Sequence, residues 1–122
     1  MARVLVVEDE PDVRDLVVRY LRRDGHDVLA VDSGLTALAA VEQHGMPELA
    51  VLDVAMPGMD GLELLRELRL LGPRIDVLFL TALWLPTDLN RIRDAGAAHL
   101  AKPFTVAGLG QAMRLLESGA RS

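Results

Sequence analysis

Leu49-Ala50-Val51-Leu52-Asp53-Val54-Ala55-Met56-Pro57-Gly58 decides the fold of this 122-residue chain. Four apolar residues follow one another with no polar alternate, as in a strand buried on both faces of a parallel sheet. The run stops at a carboxylate, and Pro57-Gly58 beyond it carries turn chemistry. Three other runs end in the same way. Arg3-Val4-Leu5-Val6-Val7 leads into Glu8-Asp9, Asp76-Val77-Leu78-Phe79-Leu80 into Thr81, and His99-Leu100-Ala101 into Lys102. Strands of a parallel sheet share one C-terminal edge. Glu8, Asp9, Asp53, Thr81 and Lys102 are therefore expected to meet there.

Helical and strand patterns alternate five times. The first helix is expected over about 12–24, with Val13, Leu16, Val17, Tyr20 and Leu21 on one stripe. The second covers about 35–44 and is alanine-rich. The third covers about 61–71, and Asp60 with Glu63 three residues on comes close to a capping box. The fourth runs from 86 or 87 to 95. The fifth, about 106–118, places Leu109, Ala112, Met113 and Leu116 at helical spacing, while Gly108 and Gly110 predict a soft helix. Gly25, Gly45, Gly72, Gly96 and Gly119 follow the five patterns as expected left-handed C-caps. Met46, Met56, Met59 and Met113 read as packing. Five βα units joined by short connections predict an α/β, doubly wound parallel sheet of order 2-1-3-4-5, with its switch point beside Asp9 and Asp53.

Composition narrows the function. The length suits one domain, residues 1–122, and 51% hydrophobic residues suit a sheet covered by helices on both faces. A net charge of -5 argues against direct nucleic-acid binding, and the arginines of the first helix, Arg19, Arg22 and Arg23, read as a solvated face. The absence of cysteine excludes disulfides and thiol chemistry. No apolar run approaches the roughly 20 residues of a membrane span, and no signal peptide precedes the first strand, so a cytoplasmic setting is expected. The three histidines offer no metal constellation: His44 closes the second helix and His26 reads as a turn residue.

A strand-end carboxylate such as Asp53 can attack phosphorus and form an acyl phosphate. Glu8 and Asp9 beside it would resist joint ionisation unless a hard divalent cation offsets them. Lys102 would supply a second positive charge and Thr81 a hydroxyl for phosphoryl oxygens. Taken singly, each has a plainer role. A strand-end Asp forms turns, Thr81 is a β-branched strand residue, and Lys102 is an exposed lysine. Glu10 and Asp12 are assigned to that plainer class, as acidic residues favouring a helix start with Pro11 in its first turn. The joint occurrence at successive edge positions favours the phosphoryl site.

Val4-Leu5-Val6-Val7-Glu8-Asp9-Glu10, Val51 to Gly61, Leu80-Thr81-Ala82 and Lys102-Pro103-Phe104 resemble the receiver domain of two-component response regulators, in order across essentially the whole chain. The resemblance implies a flavodoxin-like fold in which Asp53 accepts a phosphoryl group from a sensor histidine kinase or phosphotransfer protein. Mg²⁺ (or Mn²⁺) would be held by Asp9, Asp53, the backbone carbonyl of Ala55 and Glu8, directly or through water. Thr81 and Lys102 would bind the phosphoryl group, and the Lys102-Pro103 bond would be cis. Signalling, and homodimer formation where it occurs, would use the face of the fourth helix, fifth strand and fifth helix.

Some positions depart from that pattern. His99 stands where the family's switch aromatic is expected, so it either takes the switching role with Thr81 or is an edge-strand residue without one. Leu83-Trp84-Leu85-Pro86 is unusually apolar, and Trp84 and Leu85 are expected to be a partly exposed partner surface. Ala55 and Leu83, two residues beyond Asp53 and Thr81, cannot orient a water, which implies a long-lived aspartyl phosphate. Rival readings remain. A haloacid-dehalogenase-type phosphatase needs a second aspartate where Ala55 stands. A flavodoxin needs a Ser/Thr-rich first loop rather than an acidic one. A phosphorylation-independent interaction module would not need all five edge residues.

Overall fold

The computed structural model describes residues 2–72, 75–82 and 86–118. Five strands alternate with five helices: β1 Arg3–Val7, α1 Pro11–Arg23, β2 Asp27–Val31, α2 Gly34–His44, β3 Leu49–Asp53, α3 Gly61–Leu71, β4 Asp76–Thr81, α4 Pro86–Asp94, β5 Ala98–Ala101 and α5 Val106–Glu117. All pairings are parallel and the strand order is 2-1-3-4-5. Element ends differ from the sequence expectation by one residue, the scale on which helix and strand termini fray.

Period-two alternation explains how one sheet makes two cores. Leu5, Val7, Ala50, Leu52, Val77 and Phe79 face α2, α3 and α4, packing on Ala37, Val41, Leu64, Leu68 and Ile92. Val4, Val6, Leu49, Val51, Leu78 and Leu80 face the other way, onto Val17 and Leu21 of α1 and Leu109, Met113 and Leu116 of α5. Every residue of β3 is buried, so the strand that carries Asp53 is the most enclosed of the sheet.

Caps hold the helices in place. Asp60 Oδ1 accepts from the Glu63 amide at 2.8 Å and Glu63 Oε1 accepts from the Asp60 amide at 3.1 Å, completing the expected box. The glycine expectation holds at Gly25, Gly45 and Gly96, which have positive φ, and fails at Gly72, whose φ of -171° is extended. Gly72 is instead fixed by contact, because a Cβ there would stand 2.8 Å from Met46 Cγ. Gly119 lies outside the described residues, as do Leu83, Trp84 and Leu85. In α5, Gly110 has a packing reason: a Cβ would come within 2.7 Å of Tyr20 Oη on α1.

His26, read as a turn residue, does follow the α1–β2 turn. It is buried there, with Nδ1 accepting from the Ala2 amide at 3.1 Å. Contrary to the sequence expectation, it is also grouped with two carboxylates, Asp24 and Glu117. No helix among the described residues is long and apolar enough to cross a membrane.

Candidate functional site

The C-terminal edge of the sheet gathers residues that are far apart in sequence. Asp53 and Thr81 are the last residues of β3 and β4, while Glu8 and Lys102 follow β1 and β5 directly. The neighbouring chain pins each of them. The Glu8 amide donates to the Val31 carbonyl, the Val54 amide to Leu80, and the Lys102 amide to Thr81. Gly61 completes the frame. Its amide donates to the Val54 carbonyl at 2.9 Å, and a Cβ on it would lie 2.2 Å from the Asp53 carbonyl oxygen. Only a glycine lets α3 start this close to the end of β3.

The side chains form a compact charged group. Glu8, Asp53 and Thr81 are buried, at 0%, 3% and 2% exposure, and Asp9 is half-buried. One carboxylate oxygen from each of Glu8, Asp9, Glu10 and Asp53 lies within 4.8 Å of the others. Lys102 Nζ stands 2.9 Å from Glu8 Oε1, 3.3 Å from Asp53 Oδ2 and 3.2 Å from Glu10 Oε1. Among the described residues the Lys102 ammonium is the one donor beside Glu8 Oε1, and their 2.9 Å contact falls outside good hydrogen-bond geometry because the same ammonium also serves Asp53 and Glu10. The Ala55 amide donates to Asp53 Oδ1 at 3.3 Å. Ala55 itself is exposed, and the Lys102-Pro103 bond is cis.

These carboxylates are more than one ammonium can balance. Burial, contact with Glu8 and repulsion by its charge push the Asp53 carboxyl up to about 8, against the opposing pull of Lys102. Burial works against the Lys102 charge, but Glu8 and Asp53 outweigh it and hold the ammonium above its ordinary value. A buried carboxylate oxygen that shares its ammonium neighbour with two other carboxylates, inside a group of four acids, matches the donor set of a hard divalent cation.

Two contributors escaped the sequence reading. Glu10 occupies the N-cap position of α1 but makes no capping bond with its side chain, which reaches Lys102 instead. The signal was the acidic triplet Glu8-Asp9-Glu10, of which only two members were assigned to the edge. Arg14 donates to the Glu8 carbonyl at 2.9 Å, one turn into a helix whose arginines read as solvated. His99 lies on β5 opposite Phe79 and is exposed.

Comparison with known proteins matches this architecture throughout. A family model described as the response regulator receiver domain matches residues 4–114. The transcriptional regulatory protein TcrA of Mycobacterium tuberculosis is 43% identical over 115 residues, which are 93% of this chain and 45% of that protein. The chain thus spans less than half of that relative. Sporulation initiation phosphotransferase F of Bacillus subtilis is 31% identical over 105 residues, 85% of this chain and 84% of that one. Among solved structures, the chemotaxis protein CheY4 of Vibrio cholerae superposes with a TM-score of 0.86 at 28% identity, covering 95% of this chain and 98% of its own.

Proposed function

The chain belongs to the response regulator receiver family of two-component systems, and we propose that its Asp53 is the phosphoacceptor. The observation that carries this reading is the position of Asp53. It is the buried last residue of the central strand, with Lys102 Nζ 3.3 Å from one carboxylate oxygen and an acidic group at its side.

Asp9, Asp53, the Ala55 carbonyl and Glu8 would hold Mg²⁺ or Mn²⁺. When bound, such a cation offsets the charge of the carboxylates and of phosphoryl oxygens. The donor would be a phosphohistidine of a sensor histidine kinase or phosphotransfer protein. An Asp53 carboxylate oxygen attacks phosphorus in line, the P–O bond forms as the P–N bond breaks, and the departing imidazole takes a proton from water. Lys102, already poised between Glu8 and Asp53, would pair with the transferred group, and Thr81 would donate its hydroxyl to it. Movement of Thr81 would then pass through β4 and β5 to the α4–β5–α5 face, with His99 on its exposed edge. That face would contact an output partner or a second copy of the chain. The protein would act in the cytoplasm as a phosphoacceptor without turnover of a separate substrate.

Incubation with a small phosphodonor and Mg²⁺, followed by intact mass, tests the reading. One added phosphoryl group, lost with EDTA and in Asp53→Ala, is expected. Steady hydrolysis of a phosphate ester would mark a phosphatase instead, and no mass change would mark a phosphorylation-independent interaction module.

A further inference from the structure

At the opposite edge of the sheet, the α1–β2 turn meets the last turn of α5. We propose that Asp24, His26 and Glu117 form there a second divalent-cation site, of the imidazole-and-carboxylate kind that takes Zn²⁺.

Three observations carry the proposal. The His26 side chain is 2% exposed and its Nε2 has no hydrogen-bond partner, although it points at two carboxylates. The distances are the second. Nε2 lies 3.7 Å from Asp24 Oδ2 and 3.5 Å from Glu117 Oε1, beyond the roughly 2.7–3.2 Å of a hydrogen bond. Zinc bonds of about 2.0–2.2 Å set tetrahedral ligands about 3.4 Å apart, close to the observed spacing. Access is the third. Asp24 is 51% and Glu117 32% exposed, so an ion can enter from solvent and keep water as its remaining ligand. The imidazole separates this site from the all-oxygen group around Asp53, because nitrogen ligands favour zinc over magnesium.

Binding has a specific consequence at the other ring nitrogen. Nδ1 accepts from the Ala2 amide, so the neutral ring carries its proton on Nε2. A cation bonding Nε2 displaces that proton, and Nδ1 takes one up from solvent. The Ala2 N–H···Nδ1 bond then breaks, with no net proton released. One hydrogen bond is exchanged for three bonds to the ion, and Ala2 must draw away from the ring, because two N–H donors would otherwise face each other. The ion would tie the end of α5, a helix with glycines at 108 and 110, to the α1–β2 turn.

The test titrates the Asp9→Asn/Asp53→Asn chain with ZnCl₂ by calorimetry in excess MgCl₂, so that the acidic group at the other edge keeps only Glu8 and Glu10, both already paired with Lys102. One equivalent of zinc is expected. Glu117→Gln should weaken it by more than the about 10–100-fold typical of outer-shell changes, and His26→Gln should abolish it. Nitrogen-15 spectra should show the His26 proton moving from Nε2 to Nδ1 and the Ala2 amide resonance shifting as zinc is added. The proposal is overturned if Glu117→Gln, a change at a partly exposed residue, leaves zinc affinity unaltered. It is equally overturned if saturating zinc moves neither the His26 nitrogens nor the Ala2 amide.

Discussion

Gly61→Ala should damage the Asp53 site from a position that bears no functional group. The added methyl would stand 2.2 Å from the Asp53 carbonyl oxygen and 3.1 Å from Phe79 Cε1. A carbon and a carbonyl oxygen settle at about 3.3–3.6 Å, so the backbone of β3 and the start of α3 must part by about 1 Å. Neither side yields easily: Asp53 is backed by a fully buried strand, and Gly61 is held by the Asp60–Glu63 capping box. Overpacking of this kind costs about 1–3 kcal/mol, while alanine's better helix propensity returns at most about 1 kcal/mol. A net loss of about 2 kcal/mol corresponds to a fall of several degrees in Tm. Misplacement of a reacting group by about 1 Å can cost on the order of 10²-fold in rate. The assay is the initial rate of phosphoryl uptake from a small donor with saturating Mg²⁺, followed by intact mass, beside thermal unfolding. Gly108→Ala, at another helical glycine, is the control, because the nearest neighbours of its Cβ would be side-chain atoms, Thr105 Oγ1 at 3.3 Å and Leu100 Cδ1 at 3.9 Å. Should Gly61→Ala raise Tm and leave the rate within twofold of the parent, the close approach would not be rigid and the reasoning would fail.

Three further outcomes follow from the charges at the edge. The folded chain keeps a proton on Asp53 up to about pH 8, whereas an ordinary carboxyl releases it near 3.8, so this group makes metal-free stability fall as pH rises through that window. Urea unfolding in EDTA at pH 5 and pH 8 should show the fall, and Mg²⁺ or Asp53→Asn should flatten it; a rise with pH in the parent that Asp53→Asn leaves unchanged would contradict it. Glu10 is 62% exposed in its side chain, so Glu10→Gln should change stability by less than about 0.5 kcal/mol, yet speed uptake from an anionic donor by releasing Lys102. A slower rate would make Glu10 a cation ligand instead of a competitor. Ala55 is exposed, and Ala55→Asn places an amide able to orient water, so dephosphorylation should accelerate by on the order of tenfold, below the about 10²–10⁴ of a positioned general base. An unchanged half-life of the phosphorylated chain would remove Ala55 from that role.

What could be read from the sequence followed from local rules with global consequences. Runs such as Leu49 to Leu52 have no polar alternate, which forces burial on both faces and hence parallel strands with helices above and below. Once the strands run one way, the residue after each must lie on a common edge, and Glu8, Asp53, Thr81 and Lys102 are found there. The misreadings share a different origin. Glu10 was assigned by its place before a proline-led helix, but an ammonium that arrives 92 residues later draws the side chain away from the cap. Gly110 was read by propensity alone, and its close approach to Tyr20, a partner on another helix, was not legible. His26 follows a turn, and nothing within ten residues announces that the end of α5 will fold over it and bring Glu117 to its ring. In each case the deciding neighbour comes from an element distant in sequence, and periodicity carries no information about which side chain arrives. The phosphoryl site escaped that limit because parallel topology alone dictates who its neighbours are. The site at His26 depends instead on how far one helix runs before it ends, which is a matter of packing.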